Sequence, residues 1–243
     1  MKRSRSRRRL TAAVGLALAM AWTMCGCFNP WDPREAGLGV TEPPPVPSTP
    51  SGALRLLEWC YKHRAIAEYR ELFSDDYRFV FGDLDPYGNA YRATPWTRDD
   101  EVESTTHLFL GGDASQPAAT SIAILLDRNF RESNDPRYDP SAARWHKLIR
   151  TSVTLHITTE SGDQNVTGYG NFFFVRGDSA KIPLELSQRG FGPDSNRWYI
   201  QRHEDDTYQG DTGGGGGTAN RARPASLETW VERSWGYLKA LYR

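Results

Sequence analysis

The sequence predicts an α+β domain, because the spacing of its apolar residues changes from helical to alternating part-way along the chain. Apolar residues recur at three- and four-residue intervals over 51–73, which indicates two helices or one bent helix. A third helix is predicted over 98–110. Apolar and polar residues then alternate, as in strands, over 119–127, 145–159, 165–176 and 197–204. Helices followed by long strands predict helices packed on one face of an antiparallel sheet.

Capping and turn residues support several of these elements. Ser51 is placed to cap the first helix, and a short aromatic strand is predicted over 77–81. Thr97 precedes the third helix, whose first turn is acidic, as the helix dipole favours. The turn over 161–163 (SGD) joins two alternating segments, which predicts a β-hairpin.

The composition is that of a folded protein without a basic surface. The chain has 243 residues with 8 Trp, 11 Tyr and 10 Phe, enough to build a core. Its 30 basic and 30 acidic residues balance, but six of the basic ones lie within residues 2–9 and the first acid is Asp32. Without that segment 24 basic and 30 acidic residues remain, a formal charge of −6. Nucleic acid is therefore not an expected partner.

The N-terminus has the pattern of a bacterial export signal. A basic segment, 2–9, precedes 15 largely apolar residues, 10–24, which is shorter than the ~20 needed to span a bilayer. Residues 24–27 (MCGC) resemble a bacterial lipobox, in which Gly26 precedes the cut and Cys27 receives the lipid. That resemblance implies attachment to a membrane through the lipid (palmitate among its acyl chains). A cut before Cys25, an ordinary signal peptide and a signal anchor are the alternatives.

Two further features concern export and the cysteines. The segment 6–10 (SRRRL) also loosely resembles a twin-arginine signal, so export by either the Sec or the twin-arginine route stays open. With Cys25 removed and Cys27 lipidated, Cys60 is left alone and no intrachain disulfide is expected. Cys60 is predicted to be a small buried core residue.

These observations divide the chain into five parts. The glycine run 213–217 lacks the Lys-Ser/Thr of a phosphate-binding loop and is predicted to be a linker. The last helix carries an apolar stripe and is expected to pack on its own domain, with a partner protein or a membrane surface as alternatives. The parts are a signal peptide (1–26), a Pro-rich tether (27–50), a folded domain (51–209), a Gly-rich linker (210–225) and an amphipathic helix (226–243).

Three segments of the folded domain resemble the NTF2-like, or SnoaL-like, superfamily. They are 57–64 (LEWCYKHR), 69–77 (YRELFSDDY) and 197–206 (RWYIQRHEDD), and the resemblance covers 51–208. It implies a cone in which a curved antiparallel sheet wraps the N-terminal helices. Members use the open end of the cone for catalysis, binding or assembly, so the fold does not decide the function. The whole chain resembles uncharacterised bacterial lipoproteins of this type.

An isomerase or lyase of this kind would need a carboxylate or histidine as general base and an acid to stabilise an enolate. The residues of suitable chemistry are Tyr69, Tyr77, Asp99, His107, His156 and His203. They form no recognisable constellation, and no HExxH, CxxC or GxSxG motif is present. We therefore expect no catalytic residues, no metal and no cofactor.

The three histidines have simpler structural interpretations. His107 lies four residues after Glu103, as in a surface pair on a helix. His156 alternates with Leu155 and is expected to face away from the helices. His203 lies in an acidic run, which favours a solvated strand end over a metal site.

Aromatic residues are the better indication of binding. Six of them could line a deep apolar pocket for an apolar small molecule or could fill it as core: Trp59, Tyr69, Phe73, Phe79, Phe172 and Phe174. The outer face of the sheet is where relatives often dimerise, and a homodimer would use Arg150, Ser152, Thr154 and His156.

The sequence therefore supports one main hypothesis and two alternatives. The main hypothesis is a lipid-anchored protein of the bacterial cell envelope, facing the periplasm or the cell surface. Its NTF2-like domain would be a non-catalytic binding or scaffold domain. The alternatives are a SnoaL-like small-molecule isomerase or lyase and a subunit of an envelope assembly.

Overall fold

The computed structural model describes residues 42–83, 85–91, 93–111, 117–207 and 231–243. The predicted signal peptide, Cys27, the first part of the tether and the Gly-rich linker lie outside the described residues. Within the described ranges, no helix combines the length and the apolar character needed to cross a membrane.

The described chain contains five α-helices, which lie before, between and after groups of strands. In chain order they are α1 (Pro50–His63), α2 (Ile66–Arg70), α3 (Arg98–Leu110), α4 (Leu184–Gln188) and α5 (Trp235–Leu241). Short 3₁₀ helices occupy Pro86–Tyr91 and Pro140–Ala142.

One mixed, mostly antiparallel sheet carries the strands. They are β1 (Phe73–Val80), β2 (Trp96–Thr97), β3 (Ser121–Leu126), β4 (Glu132–Asn134), β5 (His146–Thr159), β6 (Gly162–Arg176), β7 (Trp198–Asp206) and β8 (Val231–Glu232). The order across the sheet is β2-β1-β7-β6-β5-β3, with β4 paired to β5 and β8 to β6. The β1–β7 and β6–β8 pairs are parallel, and the others are antiparallel. The sheet stays open, and register shifts in the β1–β7 and β6–β7 pairs bend it.

The N-cap of the first helix lies two residues earlier than predicted. Thr49, not Ser51, is its N-cap, and the Thr49 hydroxyl accepts a hydrogen bond from the Gly52 amide at 2.9 Å. Pro50 then occupies the first helical position, where its fixed φ and missing N–H are tolerated. The Ser51 hydroxyl is left to donate to Glu132 at 2.7 Å.

Other local predictions are confirmed. Thr97 caps α3 in a capping box with Asp100: the Thr97 amide donates to the carboxylate at 2.7 Å, and the Asp100 amide donates to the Thr97 hydroxyl at 3.4 Å. The 161–163 turn joins β5 and β6 as a hairpin, and Gly162 adopts a φ of +129° that favours glycine.

The core lies between the helices and one face of the sheet. Along β5 the residues Ile149, Val153, Leu155 and Ile157 are at most 1% exposed, while Thr154 is exposed and His156 is half-buried. Cys60 is fully buried in the same cluster, as predicted, and burial raises the pKa of its thiol. The predicted α+β fold, with helices on one face of a curved antiparallel sheet, is confirmed.

The C-terminal segment differs from the predicted helix over 226–243. Residues 226–230 lie outside the described ranges, and Val231 and Glu232 form a strand instead of a helical turn. That strand pairs with β6 at Gln164 and Asn165, a stretch that β7 does not reach. Unpaired backbone of β6 therefore gains hydrogen bonds, and the helix begins only after Ser234.

The register of β5 determines which of its side chains face the core, and two substitutions on this strand test that assignment. We expect Leu155→Ala to reduce the free energy of unfolding by about 2–5 kcal/mol, because it leaves a cavity in the core. Thr154→Ala, the exposed neighbour on the same strand, should change it by less than about 0.5 kcal/mol. Urea unfolding of both variants measures this, and equal losses would contradict the assigned register.

Candidate functional site

The helix α5 closes the interior of the domain. Trp235, Leu238 and Tyr242 are each 2% exposed and belong to the main core cluster. The Trp235 indole N–H donates to the Tyr61 hydroxyl at 3.3 Å, and its ring lies edge-on to Phe172. The described part of the last helix therefore packs on its own domain, as expected from its apolar stripe.

A buried ion pair lies under this helix. Glu101 of α3 and Lys239 of α5 are 1% and 3% exposed, and the Lys239 ammonium donates to Glu101 Oε1. The Tyr69 hydroxyl donates to the same oxygen at 2.5 Å, and the Trp96 indole N–H donates to Oε2 at 3.1 Å. Both carboxylate oxygens are thus occupied, by donors from three different elements, α2, β2 and α5.

The charges in this cluster are costly to bury. Burial lowers the pKa of Lys239, and the attraction of Glu101 opposes that shift without cancelling it. Burial and the Glu101 charge hold the pKa of Tyr69 well above its usual value, so its hydroxyl stays a neutral donor near pH 7. Removing one partner of such a pair typically costs about 3–5 kcal/mol, because the other charge is left uncompensated.

Two more polar side chains face the same interior without satisfied hydrogen bonds. The Tyr77 hydroxyl and His203 Nε2 have no hydrogen-bond partner within the described residues, although both residues are at most 2% exposed. The His203 ring stacks on Phe172 with 4.1 Å between centroids. Burial, and then the charge of Lys239, lowers the pKa of His203 far below its usual value, so the imidazole is neutral at pH 7.

The start of α5 is tied to two buried carboxylates. Asp205 of β7 accepts from the Gly236 amide at 2.7 Å and from the Thr207 hydroxyl at 2.5 Å. Asp85 accepts from the Ser234 hydroxyl. Burial raises the pKa of Asp205 to about 6; its hydrogen bonds oppose this rise, and the charge of Asp85 adds to it.

The end of α5 is held by α3. The Ser104 hydroxyl donates to the Lys239 carbonyl at 2.8 Å, and His107 Nδ1 lies 2.8 Å from the Tyr242 carbonyl oxygen. Arg243 pairs with Asp100 at 2.5 Å and with Glu103. The helix is therefore fastened at both ends by contacts that do not involve the Lys239 side chain.

The six aromatic residues proposed to line a pocket lie in two environments. Tyr69, Phe73, Phe79, Phe172 and Phe174 are at most 3% exposed and pack in the main core cluster. Trp59 is half-buried on α1, with its ring 4.5 Å from that of His63.

Two surface grooves of the described chain do not contain Glu101. One of about 480 Å³ runs beside Arg78, Phe81, Tyr91 and Arg202, and also touches Phe79. Another of about 490 Å³ is lined on α3 and its neighbours by Arg98, Asp99, Val102, Glu103 and His107. Neither groove includes Glu101, Tyr77 or His203.

The structure corrects two expectations about the histidines. His203 is 2% exposed and not solvated, because the register shift between β6 and β7 turns it and Asp205 inward. His107 contacts the Tyr242 carbonyl, where a surface pair with Glu103 was expected. In the described ranges, no three His, Cys, Asp or Glu side chains come together as a metal site.

The residue types of suitable chemistry include Tyr69, Tyr77 and His203 but not the Glu101–Lys239 pair. In the sequence, Glu101 is one of the acids in the first turn of α3 that favour a helix start. A signal for both did exist in the helical spacing. Glu101 lies three residues before the buried Ser104 on α3, and Lys239 lies four residues after Trp235 within an apolar stripe.

Several solved structures are similar to this chain. No family model matches it, and no curated protein matches it. A conserved protein from Planctomyces limnophilus has a similar structure, with 13% identity, a TM-score of 0.41, and coverage of 63% of this chain and 89% of the other. An NTF2-like superfamily protein from Salmonella enterica has 11% identity, a TM-score of 0.41, and coverage of 67% and 92%.

A candidate scytalone dehydratase from Novosphingobium aromaticivorans has 12% identity, a TM-score of 0.40, and coverage of 63% and 78%. At these values the similarities support no assignment of activity. The α+β architecture expected from the NTF2-like resemblance, with N-terminal helices on a curved sheet, is the one described above.

The raised pKa of Asp205 predicts how stability changes with pH. The folded state binds the proton more tightly than the unfolded state, so this group lowers stability as pH rises from about 4 to about 6. The loss should be roughly 2–3 kcal/mol. Denaturant unfolding at several pH values should show this component in the wild type and not in Asp205→Asn. Asp206→Asn, at the more exposed neighbour, should retain it, and identical pH slopes in all three proteins would contradict the assignment.

Proposed function

We propose that this chain is a lipid-anchored protein of the bacterial cell envelope whose NTF2-like domain binds or scaffolds and does not catalyse. One observation carries the non-catalytic part: the four groups suited to acid–base chemistry that meet inside the domain are buried. Glu101, Tyr69, Tyr77 and His203 are at most 2% exposed. A general base must come within hydrogen-bond reach of its substrate, and here the chain's own helix occupies that space.

The electrostatics of the cluster support the same proposal. Lys239 already neutralises Glu101, and burial together with the Glu101 charge raises the pKa of Tyr69 and Tyr77 well above the ordinary tyrosine value. His203 is neutral but has no proton acceptor or donor beside its Nε2 within the described chain. A carboxylate already paired with an ammonium is poorly suited to abstracting a proton from carbon.

The membrane part of the proposal is supported by the N-terminal sequence. Residues 24–27 provide the lipobox-like motif with Cys27 as the lipidated residue. Lipid chains contribute about 0.8 kcal/mol per buried CH₂, and more than one chain is needed for stable anchoring. The Pro-rich segment 27–50 would hold an acidic domain away from the bilayer, on the periplasmic side or at the cell surface.

Partners would then bind at the surface of the domain. The outer sheet face carries Arg150, which pairs with Asp206 at 2.7 Å and lies 4.5 Å from the Tyr169 ring centre. Leu125 and Tyr169 are 67% and 48% exposed. Such a face would suit a homodimer or a place in an envelope assembly, the alternative to a separate binding domain.

The lipid anchor is tested by removing one cysteine thiol at a time. We expect Cys27→Ala to release the full chain from bacterial membranes, because the only lipidated thiol is lost. Cys25→Ala is the matched control and should stay membrane-bound. Detergent phase partitioning and intact mass measure the effect. Membrane retention of Cys27→Ala together with release of Cys25→Ala would contradict lipidation at Cys27.

A SnoaL-like isomerase or lyase is the second candidate, favoured by the Tyr69 hydroxyl held 2.5 Å from Glu101. That function would require α5 to open frequently so that a substrate could enter.

Hydrogen exchange at α5 distinguishes the two functions. For the non-catalytic domain we expect the Gly236, Leu238 and Tyr242 amides, each hydrogen-bonded, to exchange within about tenfold of the β5–β6 hairpin. Exchange in α5 that is more than about a hundredfold faster would contradict a permanently filled interior and favour the enzyme.

A further inference from the structure

We infer that the Glu101 cluster is a binding site for a primary ammonium group, which the chain fills with Lys239 and which a free alkylammonium fills when that side chain is shortened. The inference goes beyond the proposed function, because it concerns the interior of the domain and not the surface at which partners would bind. It does not depend on the lipid anchor.

The carboxylate side of the site is built by two neutral donors. The Tyr69 hydroxyl and the Trp96 indole N–H bind opposite oxygens of Glu101 at 2.5 and 3.1 Å. These two bonds orient the carboxylate independently of Lys239. The ammonium therefore meets a charge that is already positioned, as a ligand does in a preorganised site.

The opposite side of the site is aromatic. The Lys239 nitrogen lies 4.8 Å from the centre of the Phe79 ring and 5.5 Å from that of Trp235. Both distances fall within the roughly 6 Å over which a ring face attracts a cation. One buried carboxylate combined with two rings favours a cation over a neutral molecule of the same shape.

The interior also holds polar atoms that the ion pair leaves unused. The Tyr77 hydroxyl and His203 Nε2 are buried without partners in the described residues. Native proteins satisfy the great majority of buried polar atoms, so two in one interior are unusual. The Lys239 charge acts on His203 and the Glu101 charge acts on Tyr77, so both groups lie near the ion pair.

Shortening Lys239 should empty the site without undocking α5. The helix is held by its backbone and by its ends, through Gly236 to Asp205, Ser234 to Asp85, and the Lys239 carbonyl to Ser104. Lys239→Ala removes three carbons and the nitrogen of a side chain that is 3% exposed. The vacated space has the composition of n-propylammonium.

The test is chemical rescue of the full chain carrying Lys239→Ala, measured at pH 8, where His203 is neutral. We expect this variant to melt below the wild type. We expect n-propylammonium chloride at ten times its Kd to raise its Tm by about 3–5 °C relative to sodium chloride at the same ionic strength. Methylammonium, n-hexylammonium and 1-propanol should raise it less, and the wild type should not respond.

Two control variants separate the contribution of the Glu101 charge from that of the space left by the Lys239 side chain. Lys239→Met keeps an apolar stem in place of the lysine and should not respond to the amine. Lys239→Ala combined with Glu101→Gln keeps the cavity but loses the carboxylate, and should lose the response. An equal rise of Tm in the wild type, in the double variant or with 1-propanol would overturn the inference.

If Lys239→Ala does not fold, its refolding in the presence of the amine tests the inference instead. n-Propylammonium present during refolding should restore the far-UV circular dichroism of the wild type, and 1-propanol should not. Absence of recovery with the amine would overturn the inference. The tests of the anchor and of the ammonium site are independent, because membrane release depends on Cys27 and rescue depends on Glu101.

Discussion

The buried pair of Glu101 and Lys239 constrains the interior of this domain more than any other polar contact described above. It joins two helices whose residues are 138 positions apart in the chain. Either charge alone would be strongly unfavourable in this interior, so each requires the other. The pair therefore makes the docking of α5 specific to one position, while the surrounding apolar contacts of Trp235, Leu238 and Tyr242 supply most of the attraction.

That docking changes what the fold can do. Tyr69, Tyr77 and His203 would be suitable for acid–base chemistry in an open cone, but here they are buried under a helix of the same chain. The Lys239 charge neutralises Glu101 and also helps to keep His203 neutral. One side chain thus occupies the interior and neutralises its charge, which is consistent with a domain that acts through its surface.

The sequence predicted much of the fold because the relevant signals are local. Leu155 and its alternating neighbours identified the inner face of β5, and Thr97 identified the start of α3. It failed where the deciding contact is distant. His203 faces inward because of a register shift between β6 and β7, and Val231 pairs with a free stretch of β6. Neither contact produces a periodic pattern of apolar residues in its own segment.

By itself the sequence determined the α+β order, the hairpin, the burial of Cys60 and an N-terminal pattern that predicts a lipid anchor at Cys27. Only the tertiary structure decided that Glu101 and Lys239 meet, and that the interior is closed. The physical reason is that apolar periodicity reports which face of a helix is buried, whereas a charge on that face has meaning only once its partner is known. Here the partner lies on another element, and the fold alone brings the two together.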